Sequence, residues 1–154
     1  MHHLAKLTRL FSFLLLAAGL AACSANAGDR TPTPSPMRQE FNDAVGRWEA
    51  LGITSYAMNL TYRHPGWEPQ TMVVEVRDGT ASFTEKGCFP ERDCYVRPLE
   101  AADFTLAHIL PQVATLIDQR SVTHIVYHDQ YFFPRIIDSP EEGWEISNFR
   151  LLDR

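Results

Sequence analysis

Met72-Val73-Val74-Glu75-Val76-Arg77-Asp78-Gly79-Thr80-Ala81-Ser82-Phe83-Thr84, residues 72–84, carries the strongest local signal in the chain. Met72, Val74 and Val76 alternate with polar or outward positions, the period of a strand buried on one face. Asp78-Gly79 supplies the positive backbone angles of a two-residue hairpin turn, and Thr80 to Thr84 returns as the partner strand. The segment therefore predicts an antiparallel hairpin, and with it a sheet that the flanking segments must extend and cover.

Working outward, Tyr56, Met58, Leu60 and Tyr62 alternate with Ala57, Asn59 and Thr61, which predicts another half-buried strand. Arg63 to Gln70 interrupts it with two prolines and a glycine. Upstream, Ser35-Pro36 reads as a helix cap and first turn, Phe41, Ala44, Val45, Trp48 and Leu51 recur at helical spacing, and Gly52 ends the run. Downstream, Glu85 to Glu100 reads as a polar loop containing Cys88 and Cys94. Leu106, Ile109, Leu110, Val113, Leu116 and Ile117 then share a helical face. Pro111 requires this second helix either to begin late or to kink. Val122 to His128, Arg135 to Asp138 and Trp144 to Leu151 read as three further strands. The expected fold is α+β: an antiparallel sheet of about six strands with two amphipathic helices on one face, in the order α-β-β-β-α-β-β-β. The order repeats one helix-plus-three-strand unit, although residue identity between the halves is thin.

The first residues have a separate purpose. Lys6 and Arg9 lead into the apolar run Leu10 to Leu20, which ends in Ala21-Ala22-Cys23. The run is too short for a permanent span of the roughly 30 Å hydrocarbon core and suits a secretory signal. The Leu20-Ala21-Ala22-Cys23 ending is similar to the lipobox of bacterial lipoproteins. That resemblance implies a signal peptide over 1–22, a diacylglyceryl group on Cys23 and cleavage just before it. Residues 23–37, rich in Pro, Thr and Ser, read as a lipidated cysteine followed by an extended tether, and 38–154 as a single domain. The implied location is the bacterial envelope. Ser24 resembles the sorting signal for the outer membrane, on its periplasmic or surface side; in a single-membrane host the anchor would hold the outer face of the cell membrane.

Removing 1–22 takes away Lys6 and Arg9 and leaves 12 basic against 19 acidic side chains, a net charge of −7. No basic patch remains to displace counterions from nucleic acid, so nucleic acid is not an expected partner. The expected partners are the membrane, through Cys23, and an envelope protein or wall component. Cys88 and Cys94 would lie in an oxidising compartment, where their spacing suits a small structural disulfide worth about 2 kcal/mol.

From Trp48 to Leu151 the chain resembles a family of small bacterial lipoproteins known as domain of unknown function 6174. The carrying residues are Trp48…Gly52-Ile53…Ser55-Tyr56, Val74 to Gly79, Val126-Tyr127-His128-Asp129…Pro134 and Trp144 to Phe149. Two loops depart from the family's pattern, Arg63 to Gln70 and Tyr127 to Pro134. The family has no assigned activity, so the resemblance implies class and setting alone.

Catalytic signals are weak. There is no Gly-x-Ser-x-Gly elbow, no His-Glu-x-x-His and no glycine-rich phosphate loop, and Glu141-Glu142 falls in a turn beside Pro140 and Gly143. The expectation is a non-catalytic protein without a cofactor. A metal set of His124, His128 and Asp129 fails on distance, because four residues of strand separate the histidines by roughly 13 Å; it would need a bulge or a distant partner such as His64 or His108. For binding, Tyr131, Phe132 and Phe133 stand at a hairpin mouth beside the ionisable pair His128 and Asp129, and Trp67 sits in the loop after the first strand. Loop aromatics suit an interaction surface, and the competing reading has these rings close the end of the sheet. On the first reading, replacing His128, Asp129 and Tyr131 leaves stability nearly unchanged. The expected function is a membrane-anchored interaction module of the envelope. The alternative is a periplasmic domain that binds a small ligand or metal in a pocket between sheet and helices.

Overall fold

The 72–84 hairpin forms, and the sheet grows from it. In the computed structural model, which describes residues 33–91 and 93–153, Asp78 and Gly79 take φ values of 47° and 80°. They join β2 (Gln70–Arg77) to β3 (Thr80–Cys88), and β1 (Tyr56–Arg63) pairs with the other edge of β2. The signal peptide (1–22), the lipidation site Cys23 and most of the tether lie outside the described residues. Helix α1 (Pro36–Ala50) precedes this three-stranded meander, and α2 (Leu106–Asp118) follows it. A second meander, β4 (His124–Tyr127), β5 (Pro134–Asp138) and β6 (Gly143–Leu151), completes a sheet of order β3-β2-β1-β6-β5-β4, antiparallel throughout. The expected α-β-β-β-α-β-β-β fold is the observed one. Each half keeps the same internal order, β3-β2-β1 and β6-β5-β4, and the two halves join through β1 and β6.

Several boundaries differ from expectation for local reasons. Ser35 caps α1 by accepting from the Arg38 amide at 3.2 Å, so the helix starts at Pro36, inside the stretch read as tether. Strand β3 runs four residues beyond Thr84, to Cys88. Val73 faces Glu85 while Val74 faces Phe83, which leaves Thr84 as an extra residue in a bulge; beyond that point the alternation continues with its phase shifted. Helix α2 does not begin late: Thr105 caps it, and Pro111 sits in its sixth position. Pro111 has no N–H, so the carbonyl of Ala107 loses its helical donor.

A bulge in β6 decides how one end of the core closes. Ala57 pairs with Arg150 and Asn59 with Ser147, so Asn148 and Phe149 together oppose Met58. Asn148 takes φ 50°, a left-handed conformation that asparagine tolerates better than most residues. Trp144 and Ile146 point inward, and the extra residue returns Phe149 to the same face where strict alternation would have put Asn148. The inward side chains of the sheet, the stripe Phe41, Ala44 and Trp48 of α1, and the apolar face of α2 form one buried core. Arg38 ties the helices together, donating through Nη1 to the Ala114 carbonyl at 2.6 Å and meeting Asp118 at 3.2 Å.

Candidate functional site

The turn between β4 and β5 is a packed plug. Phe133 is 0% exposed and touches Trp48 and Phe149 at centroid distances of 5.4 and 4.8 Å, so it belongs to the core and not to a binding surface. His128 packs 5.0 Å from Tyr131 and 5.1 Å from Phe133. Its Nδ1 accepts from the amides of Gln130 and Tyr131 at 3.2 and 3.3 Å. This needs an unprotonated Nδ1, and burial, reinforced by Arg135 and opposed by Asp129, lowers the pKa of the ring. Backbone bonds from His128 N to Phe133 O and from Phe132 N to His128 O, both 2.8 Å, close the turn. His128 thus holds the turn as a neutral acceptor, in place of the ionisable rim expected from the sequence. Phe132, at φ 66°, has the Arg47 guanidinium 3.5 Å from its ring centroid; Tyr131 is half-buried, and of the five candidate residues on this turn Asp129 alone is exposed.

Trp67 is beyond the other end of β1, an eight-residue strand roughly 23 Å long. It packs edge-on against Tyr62, His64 stacks on it at 4.3 Å, and the Arg97 guanidinium lies over it at 4.9 Å. The candidate residues therefore do not converge on one site, and Trp67 spends its ring on intramolecular contacts.

The segment beside Trp67 is where apolar side chains reach solvent. Cys88 and Cys94 stand at disulfide distance, Cα to Cα 5.9 Å. Gln70, 1% exposed, pins the same loop from below: Nε2 donates to the carbonyls of Glu68 and Tyr95 at 2.8 and 3.2 Å, and Oε1 accepts from the Arg97 amide at 2.8 Å. The Phe89 amide adds a bond to the Pro69 carbonyl at 3.0 Å. A buried amide satisfied this way is costly to replace, which gives the loop one conformation. On it Phe89 is 65%, Tyr95 60% and Val96 41% exposed, three of the five large hydrophobic side chains that are exposed among the described residues. Phe89 and Tyr95 each follow a bridged cysteine, so their backbones lie within roughly 14 Å of each other. Exposed Glu91 and Asp93 stand between them in sequence.

No family model, no curated protein and no solved structure matches the chain. What the site can do is thus read from its geometry. Among the described residues no three His, Cys, Asp or Glu side chains are grouped to hold a metal ion, and His124, His128 and Asp129 do not form such a group. No helix among them is long and apolar enough to cross a membrane. The residues that sequence reading missed are Gln70, Phe89, Tyr95 and Val96. A signal was present: within a loop read as polar, an aromatic residue follows each cysteine.

A second feature is a groove of about 550 Å³ between α1 and α2, floored by Tyr56 and Val76. The Tyr56 hydroxyl accepts from the Leu106 amide at 2.9 Å, and burial raises its pKa despite that bond.

Proposed function

We propose that this chain is a lipoprotein of the bacterial envelope, anchored through Cys23, which docks another envelope protein through the Phe89, Tyr95 and Val96 patch. The anchor rests on the basic lead, the apolar run and the Leu20-Ala21-Ala22-Cys23 ending, and it accords with the resemblance of Trp48 to Leu151 to the lipoprotein family named above. The docking reading rests on one observation: large apolar side chains held outward on a loop fixed by a cysteine pair and by Gln70. An apolar centre with charged neighbours has the make-up of a protein interface, and a loop already ordered loses less entropy on binding. Nothing in the patch offers the convergent donors and acceptors of a catalytic site, and the function proposed is non-catalytic.

The test places a photo-crosslinking amino acid at position 89, and in a parallel strain at exposed position 43 of α1, in the exported chain. Position 89 should yield one discrete envelope adduct that disappears when Tyr95 and Val96 are changed to Ser. Equal adducts from both positions, or an adduct indifferent to the Ser changes, would rule the docking surface out. The anchor is tested separately, by an intact mass showing acyl chains on an N-terminal Cys23.

A further inference from the structure

We infer that the groove between α1 and α2 is a binding site for one long-chain fatty acid, its tail along the helices and its carboxylate at Arg38. The inference is independent of the docking surface above. The groove exists because α2 presents Ala107, Pro111 and Ala114 toward it, residues three or four apart whose side chains are too short to fill the space facing Phe41, Val45 and Trp48 of α1. Ile53, Leu106 and Leu110 add further apolar wall, while Asn42, Thr54 and Thr105 are the uncharged polar side chains of the lining, so most of the interior offers an alkyl chain apolar contact. A methylene needs about the room of one water in the liquid, roughly 30 Å³, so a sixteen-carbon chain fills roughly 480 Å³. The groove, open to solvent along one side and about 550 Å³ in volume, has room for one such chain.

Charge sets the direction. Arg38 lies at one end of the α1 wall and Glu49 at the other. The guanidinium uses Nη1 for Ala114 and Asp118, and among the described residues no hydrogen bond engages its Nε or Nη2. It is held in place by those contacts and by Phe41, whose ring centroid is 5.9 Å away. Asp118, itself largely exposed, offsets part of the guanidinium's charge from the Nη1 side, and the spare Nε and Nη2 donors suit a second, planar carboxylate on the groove side, while Glu49 repels that group from the far end.

The experiment uses the exported full chain with Cys23→Ser, so that no acyl chain of its own competes; if Cys23 is not lipidated the change is neutral. Palmitate is titrated below its micelle concentration and the adducts are counted by native mass spectrometry. The expected result is a saturable one-to-one adduct, abolished by Ala107→Trp, which fills the groove from an exposed helix position. Val45→Phe, from the facing helix, should weaken it as well, and circular dichroism confirms that each variant is folded. Arg38→Gln should weaken palmitate on the order of tenfold and leave hexadecanol unchanged, since only the charged head is lost. The proposal is overturned if the wild type shows no saturable adduct, if either folded blocking variant binds as the wild type does, if Arg38→Gln has no effect, or if a single-chain phospholipid binds more tightly than palmitate.

Discussion

Tyr131-Phe132-Phe133 and Phe89…Tyr95-Val96 are both runs of large apolar side chains on connections of the same sheet, yet one lies inside the molecule and the other outside. The first turn sits over Trp48 and over Phe149, which the β6 bulge swings inward, so Tyr131 and Phe133 find aromatic partners there. The second loop extends past the ends of β2 and β3, where the chain beneath it offers Gln70, a polar side chain that bonds the loop's backbone and gives Phe89, Tyr95 and Val96 no apolar bed, although the Arg97 guanidinium lies 5.1 Å from the Tyr95 ring centroid. Loop composition is thus a poor guide to exposure. What decides is whether the elements below present rings or hydrogen-bonding groups.

The largest expected effect lies on the buried side. Phe133→Ala should cost about 3–5 kcal/mol in urea unfolding, the usual penalty for emptying a buried aromatic site. Replacing His128, Asp129 and Tyr131 together should also destabilise, through the lost acceptor at Nδ1, contrary to what an exposed interface would show. Next, Cys88→Ser with Cys94→Ser should cost about 2 kcal/mol and speed amide exchange at Phe89 and Arg97. Because Cys88 is buried and pairs with Gln70, the last residues of β3 should loosen with the loop.

A smaller effect is tied to pH. The folded-state pKa of His128 lies below its unfolded value near 6.5, so the unfolded chain binds the proton more readily. The stability supplied by neutral His128 is therefore complete above about pH 6.5 and is lost as pH falls through the lower folded value. His128→Asn, whose side-chain oxygen can accept the same amides without titrating, should flatten that decline in melting curves taken between pH 7.5 and 5. Smallest of all, Phe89→Ser should change stability by no more than about 0.5 kcal/mol, as for an exposed side chain without buried partners.

Much of the fold was legible because its signals are local. The Asp78-Gly79 turn, the period-two runs of 56–62 and 72–76 and the two helical stripes each specify their element without outside help. Thr84, Asn148 and Pro111 mark where legibility failed: two bulges shift the phase of alternation, and a proline is tolerated where its ring faces an open groove. The site was less legible than the fold. Whether Phe133 or Phe89 faces water depends on Trp48, Phe149 and Gln70, brought beside them only by the completed sheet. The competing reading of Tyr131 to Phe133, rings that close the end of the sheet, is the one that the packing favours.

Hydroxyl-radical footprinting of the folded mature protein tests the contrast most directly, first in isolation and then in intact envelopes. Phe89 and Tyr95 should oxidise readily in the isolated protein while Phe133 stays protected, and the envelope should suppress labelling at Phe89 and Tyr95. Labelling of Phe133 as fast as Phe89 would contradict the packing, and labelling of Phe89 and Tyr95 that the envelope leaves unchanged would contradict the docking surface.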